Sequence, residues 1–220
     1  MKTLLKFLLI PLVLFLISFE NEAQDPLRFA DEIEKLKSLD YNYSENEEVI
    51  LFAGSSSIRK WDNLSEYFPD KNLIKMGFGG SQMSDLIYYS EDLIFNHTPD
   101  KIFVYEGDND LADGKSNDEI LADFNKMVKM IESRLGSIDI VFISPKPSIA
   151  RWNLAESYIS FNQELKAYTQ TKSNLYFADV WLPLLNDQGK PRKDLFIEDD
   201  LHINEKGYQI WKNVLKEFMR

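Results

Sequence analysis

Short apolar segments alternate with longer amphipathic segments along most of this chain, and this alternation restricts its fold more than any other feature. The apolar segments, which we predict to be strands, are 49–53, 72–76, 101–105, 138–143 and 175–178. The amphipathic segments, which we predict to be helices, are 26–39, 83–95, 118–135, 154–171 and 205–218. Strands that alternate with helices indicate a parallel sheet covered on both faces. The sequence therefore predicts a three-layer α/β/α sandwich around a parallel sheet.

Composition limits the class of protein and its partners. At 220 residues the chain has the length of one domain, or of one domain with an appendage. It carries 25 Lys and Arg against 36 Asp and Glu, and the resulting net charge of −11 disfavours binding to nucleic acid. The sequence contains no cysteine, which excludes disulfides, thiolate nucleophiles and cysteine-based zinc sites.

The first residues have the layout of a secretory signal peptide. Lys2 and Lys6 precede an apolar run over 7–19, which is shorter than the roughly 20 residues that a membrane-spanning helix requires. We expect cleavage after residue 23 and export to the periplasm or the cell exterior, although an uncleaved N-terminal anchor remains the alternative. The mature chain would then comprise an N-terminal helix and connector over 24–47 and a folded domain over 48–220.

Three predicted strands are followed by turns rich in glycine and in polar side chains. The turns are Gly54–Ser57, Gly77–Ser81 and Gly107–Asp110. Because the carboxyl ends of parallel strands share one edge of a sheet, these turns should lie close together. A serine hydroxyl at this edge could attack a carbonyl carbon. Glycine N–H groups and an asparagine amide beside it could stabilise the oxyanion that forms. Taken singly, the turns could equally be a helix N-cap, a flexible turn and an Asx turn.

His202 is one of only two histidines, and it closes the sequence Asp199-Asp200-Leu201-His202. A neutral imidazole can accept a proton from a serine, while a carboxylate on its other nitrogen fixes the tautomer. The spacing favours Asp199 over Asp200 as that carboxylate, and we expect this turn also to follow a strand end. The alternative is a surface histidine in an acidic loop. The other histidine, His97, precedes a Thr-Pro pair and is predicted to cap a helix.

Together these four motifs resemble the GDSL/SGNH hydrolase family over residues 48–215, and 54–61 is similar to a branch that reads Gly-Ser-Ser-Ser-Ile-Arg-x-Trp. The resemblance implies a flavodoxin-like sheet of five parallel strands. It also implies a nucleophile at Ser56, with Ser55 and Ser57 as alternatives if the register is shifted. The remaining implied residues are Asp199 and His202 as the acid and base, and Ser56, Gly80 and Asn109 as the oxyanion hole.

The resemblance further implies that the segment 148–152, after the fourth strand, borders the site. Arg151 and Trp152 could contact substrate there, or the loop could simply be anchored by one packed tryptophan. We expect an exported serine esterase that removes short acyl groups, such as acetyl, from a carbohydrate. A lysophospholipase or thioesterase with the same mechanism is an alternative, as is a non-catalytic carbohydrate-binding module. The resemblance implies no metal and no organic cofactor, and no stable membrane insertion once the signal peptide is removed.

Overall fold

Five parallel strands form the central sheet of the computed structural model, which describes residues 25–41 and 47–220. The strands are β1 (Val49–Gly54), β2 (Asn72–Gly77), β3 (Lys101–Tyr105), β4 (Asp139–Ile143) and β5 (Leu175–Ala178). Their order across the sheet is β2-β1-β3-β4-β5, and all neighbours are parallel. This is the flavodoxin-like order of a doubly wound sheet. The predicted fold class is confirmed.

Helices cover both faces of the sheet. They are α1 (Ala30–Lys37), α2 (Ser56–Arg59), α3 (Leu64–Tyr67), α4 (Met83–Tyr88), α5 (Ser90–Leu93), α6 (Asp108–Ala112), α7 (Asn117–Leu135), α8 (Ala155–Thr169) and α9 (Glu205–Leu215). Single 3₁₀ turns occur at Pro26–Phe29, Phe95–His97, Trp152–Leu154, Leu182–Leu184, Lys193–Leu195 and Lys216–Phe218. Most predicted boundaries differ from these by a few residues.

The segment 83–95, predicted as one helix, is instead broken into α4, α5 and a 3₁₀ turn. Tyr89 ends α4 with φ −96° and ψ 13°. The Ser90 hydroxyl donates to the carbonyl oxygen of Ile87 at 2.8 Å, and such local side-chain bonds compete with a continuous helix. The apolar periodicity of the segment could not reveal this break, because both pieces face the same core.

The N-terminal prediction lies largely outside the described residues. The proposed signal peptide over 1–23 and the connector residues 42–46 both fall there. No helix in the described ranges is long and apolar enough to cross a membrane. The described part of the N-terminal segment packs on the sheet: Ile33 of α1 is buried, and the Phe29 ring contacts the Phe78 ring edge-on at 5.0 Å.

Two apolar cores, one on each face, hold the sheet between the helices. In β1, Leu51 and Ala53 point into the core beneath α1, α4, α7 and α8, whereas Ile50 and Phe52 point into the core beneath α2, α3 and α9. All six residues of β1 are buried, as expected for a central strand covered on both faces. Because the helices occupy the faces, polar groups can gather at the edge where the strands end.

We expect Trp61→Ala to destabilise the fold strongly, because Trp61 is fully buried and stacks on Tyr208 with ring centroids 4.9 Å apart. The free energy of unfolding should fall by about 3–5 kcal/mol, as for other buried aromatic truncations. Urea denaturation of both proteins measures the difference. Tyr88→Ala is the matched control, since 57% of that side chain is exposed and its loss should change stability little. A loss below about 1 kcal/mol at Trp61 would contradict the packing described.

Candidate active site

Strand β1 ends in a glycine that lets the chain turn directly into a helix. Gly54 has φ +135°, a conformation that favours glycine, and a Cβ there would lie 2.1 Å from the carbonyl oxygen of Tyr105 on β3. Ser55 donates its N–H to that same oxygen at 3.0 Å, and α2 begins at Ser56. This geometry places the half-buried Ser56 at the carboxyl edge of the sheet.

Ser56, His202 and Asp199 form one continuous hydrogen-bonded chain. The Ser56 Oγ lies 2.8 Å from His202 Nε2, and His202 Nδ1 lies 2.6 Å from Asp199 Oδ2. An ionised carboxylate only accepts hydrogen bonds, so Nδ1 carries the ring hydrogen and Nε2 is left to accept from the serine hydroxyl. The structure thus brings together the three residues that the sequence predicted as nucleophile, base and acid.

The acidic turn is built differently from the sequence prediction. We expected it to follow a strand end, but it lies well beyond β5, in an irregular segment that reaches α9. An antiparallel bridge pairs Phe196 with Ile203, and Ile197 donates its N–H to the His202 carbonyl oxygen at 2.9 Å. These contacts close a tight loop whose tip, Asp200, has φ +55°. Pairing within the loop therefore aims His202 at the sheet edge.

The turn also sets the protonation of its own side chains. Burial favours the neutral form of Asp199, but hydrogen bonds from the N–H and ring of His202 and from the N–H of Leu201 outweigh it and lower its pKa to about 2. Burial lowers the pKa of His202 below its ordinary value of 6.5, and Asp199 opposes that shift. At neutral pH the imidazole is therefore uncharged and able to accept a proton.

The neighbouring serines have other contacts. Ser55 is buried, and its hydroxyl oxygen accepts a hydrogen bond from Asn109 Nδ2 at 2.7 Å. Ser57 is also buried, and its carbonyl oxygen accepts from the Tyr208 hydroxyl at 2.8 Å. Of the three consecutive serines, Ser56 has its hydroxyl beside the imidazole. The geometry favours the register that the family resemblance implied.

The three groups predicted for the oxyanion hole come from three different turns. The N–H groups of Ser56 and Gly80 donate to no other group in the described ranges. Gly80 has φ +78°, and the space where its Cβ would stand is open to solvent. Asn109 Nδ2 donates to Ser55 Oγ and to the Ser81 carbonyl oxygen at 2.8 Å. To donate to an oxyanion, Asn109 would therefore share or redirect one of the two hydrogens on Nδ2.

Two carboxyl groups that sequence reasoning missed hold the Gly80 turn. Glu32 of α1 accepts the N–H of Gly79 at 3.1 Å. Glu106, which is completely buried, accepts from the Ser81 hydroxyl at 2.6 Å. Burial raises the pKa of Glu106 well above its ordinary value and so favours the protonated form of this side chain. A glutamate between an apolar strand and a glycine was the available signal for Glu106, whereas nothing in the sequence links Glu32 to this turn.

The segment 148–152 borders the site, but its arginine faces protein groups. Arg151 donates to Asp108 Oδ1 at 2.6 Å and to Asn109 Oδ1 at 2.9 Å. Trp152 stacks on Trp181 at 6.0 Å between ring centroids, and the ammonium of Lys190 lies over its ring at 5.0 Å. Contact of Arg151 or Trp152 with a substrate stays a prediction.

Within the described ranges, no three His, Asp or Glu side chains form a group that could hold a metal ion.

Similar proteins agree with this fold. A Streptococcus pneumoniae protein, provisionally assigned as a platelet activating factor, is 23% identical over 88% of this chain and 94% of its own, with a TM-score of 0.77. A GDSL-like lipase from Bacteroides thetaiotaomicron is 18% identical over 89% and 97%, with a TM-score of 0.72. A catalytic mutant of Axe2, an acetylxylan esterase from Geobacillus stearothermophilus, is 16% identical over 77% and 93%, with a TM-score of 0.61.

At these identities the solved structures establish the fold alone. No protein of curated function matches the sequence significantly. Family membership comes from the sequence itself, because residues 46–210, most of the chain, match the model of one family. The matched range includes all four motifs that carry the predicted site. The chain belongs to the GDSL-like Lipase/Acylhydrolase family, and it is accordingly a carboxylic ester hydrolase.

Proposed function

We propose that this protein is an exported serine esterase in which Ser56, His202 and Asp199 act as a catalytic triad. The observation that carries the proposal is the position of the His202 ring, with one nitrogen 2.8 Å from the Ser56 hydroxyl and the other 2.6 Å from the Asp199 carboxylate. Hydrogen bonds at both ring nitrogens orient the base toward the nucleophile. Export rests on the signal-peptide layout of residues 1–23.

Acylation would begin as the Ser56 oxygen attacks the ester carbonyl carbon. His202 Nε2 takes the hydroxyl proton while the new O–C bond forms, and Asp199 stabilises the resulting imidazolium. The carbonyl oxygen becomes an oxyanion that the N–H groups of Ser56 and Gly80 and the amide of Asn109 stabilise. The bond from carbon to the alcohol oxygen then breaks, and His202 returns the proton to the leaving alkoxide.

Deacylation would repeat these steps with water in place of serine. His202 accepts a proton from the water as its oxygen attacks the acyl-enzyme carbon. Collapse of the second oxyanion intermediate breaks the bond to the Ser56 oxygen, which recovers its proton from His202. The products are a carboxylic acid and free enzyme. Every proton transfer in this cycle passes through one imidazole, which the low His202 pKa keeps neutral at the start.

We further propose a short acyl group, such as acetyl on a carbohydrate, as the group removed. The turns that follow β1, β2 and β3 are short, so none of them provides a long insertion that could cover a fatty acyl chain. Gly80, at the edge of the site, is exposed. A structural relative named as an acetylxylan esterase has the same fold, which is consistent with this substrate class.

Replacing the proposed nucleophile should abolish turnover. We expect Ser56→Ala to lower kcat/KM for p-nitrophenyl acetate by at least about 10³-fold, because it removes the hydroxyl that lies against the His202 base. Ser57→Ala is the matched control, a buried neighbouring serine outside the hydrogen-bonded chain, and it should retain activity. An organophosphate should label the wild type at Ser56, as read by peptide mass spectrometry. An unlabelled Ser56 in a protein inactive on short and long esters would refute the triad and leave the binding-module alternative.

Activity should depend on pH through His202. Because the base must be neutral, kcat/KM should rise with pH through a pKa below 6.5 and then level off. Asp199→Asn removes the carboxylate that raises the His202 pKa, so the acid limb should move to lower pH while kcat falls by about 10²- to 10⁴-fold. Profiles of kcat and kcat/KM measured from pH 4 to 9 for both proteins test the two effects. A limb that moves to higher pH would contradict this assignment.

Acyl-chain preference separates the substrate classes. We expect kcat/KM to be highest for p-nitrophenyl acetate and at least about tenfold lower for the octanoate, because the turns after β1, β2 and β3 are too short to cover a long acyl chain. Acetylated xylo-oligosaccharides, assayed by acetate release, test the carbohydrate part. The p-nitrophenol leaving group is constant across the series, so differences report the acyl group alone. A preference for octanoate or palmitate would favour the lysophospholipase or thioesterase alternative.

A further inference from the structure

A buried carboxylate, Asp108, lies beside Asn109 and is surrounded by donors. The four groups that donate to its two side-chain oxygens are Arg151 at 2.6 Å, the Tyr158 hydroxyl at 2.6 Å, the Tyr105 hydroxyl at 2.7 Å and the Lys146 ammonium at 3.2 Å. These contacts lower the pKa of Asp108 although burial favours its neutral form. None of these five residues belongs to the proposed triad or oxyanion hole.

Arg151 connects this carboxylate to the amide of Asn109. One of its terminal nitrogens donates to Asp108 Oδ1, and the other donates to Asn109 Oδ1 at 2.9 Å. A planar guanidinium can hold two acceptors in a fixed relative geometry, which an ammonium cannot do. Asp108 thus fixes the guanidinium, and the guanidinium fixes the oxygen end of the Asn109 amide.

The Arg151 guanidinium determines which end of the Asn109 side-chain amide faces the site. If the Asn109 amide rotated by half a turn, its NH₂ group would face the donor groups of Arg151. Its oxygen would face the carbonyl oxygen of Ser81, which now accepts from Nδ2, and the Ser55 hydroxyl would have to donate instead of accepting. The contacts with Arg151 and with the Ser81 carbonyl oxygen would thus change from attractive to repulsive. A cation at the amide oxygen also draws electron density from the N–H groups, which makes them better donors.

The loop that carries Arg151 also contacts the turn that carries the base. The N–H groups of Ile149 and Ala150 both donate to the carbonyl oxygen of Asp200 at 3.0 Å. The Arg151 N–H donates to the Ser148 hydroxyl at 3.2 Å. The guanidinium is therefore held from its own backbone as well as from Asp108, on a segment tied to the Asp199–His202 turn.

We propose that Arg151 is a positioning residue for ester hydrolysis, which orients and polarises the Asn109 amide so that its N–H groups can donate to the oxyanion. This inference rests on the proposed function of Asn109. It differs from a structural role, because Asp108 keeps Lys146 and two tyrosine donors when the guanidinium is removed. About a fifth of the Arg151 side chain is exposed, so it is not part of the closed apolar core.

The first test is kinetic. For p-nitrophenyl acetate, Arg151→Met should lower kcat by about 10- to 100-fold and change KM little, because the lost contact acts on the transition state. Arg151→Lys should recover only part of the loss, and added methylguanidine should partly restore Arg151→Ala. The matched control is Arg134→Met, which removes an exposed arginine paired with Glu91 and should leave kcat unchanged.

The second test does not depend on activity. The two side-chain N–H signals of Asn109, identified in ¹⁵N NMR spectra by their loss in Asn109→Asp, should shift in Arg151→Met while most backbone signals stay in place. A lowered kcat together with shifted Asn109 signals supports the inference. Wild-type kcat in Arg151→Met, or Asn109 signals that do not move, overturns it. If the wild type itself hydrolyses no ester, the proposed function fails, and the NMR result still decides whether Arg151 orients the amide.

Discussion

The register of the three strands that carry the site is the constraint on which the rest of the structure depends. In the sheet, Gly54 pairs with Gly77 on one side and with Tyr105 on the other. The three strands therefore end at the same level, and the turns after them meet at one edge. The close approach of Gly54 to the Tyr105 carbonyl oxygen leaves no room for a side chain. A slip of one residue would exchange the side chains that β1 presents to the two cores and would separate the turns.

Around this edge the protein buries carboxyl groups, whose removal from water is unfavourable in free energy unless it is compensated. Removal of a carboxylate from water costs several kcal/mol unless donors replace the lost hydration. At Asp108 four side chains provide them, whereas at Glu106 burial raises the pKa and so favours the uncharged, protonated form. Both residues lie within three positions of Asn109 along the chain. The buried polar groups thus hold in place a loop that packing alone would leave adjustable.

Most of the fold was predictable from the sequence, because burial on both faces gives β1, and β3 after Lys101, an apolar pattern that local sequence reveals. The break at Tyr89 was not, since it depends on the hydroxyl of Ser90 bonding back to the preceding turn. The strand-end position expected for the acidic turn was wrong. Its place is set by the bridge between Phe196 and Ile203, a pairing that has no periodic signature.

The sequence by itself determined the five strands and their alternation with helices, the family, and the four short motifs that carry the candidate site. Each motif is local, and its residue types limit the chemistry that it can perform. The tertiary structure decided which atoms meet. It places the hydroxyl of Ser56, rather than that of Ser55, beside His202, and it places the Arg151 guanidinium against the Asn109 amide rather than in solvent. Such contacts join residues far apart along the chain, and hydrogen bonds are directional over a few ångströms. Only the packed sheet and its loops bring the donors and acceptors to those distances.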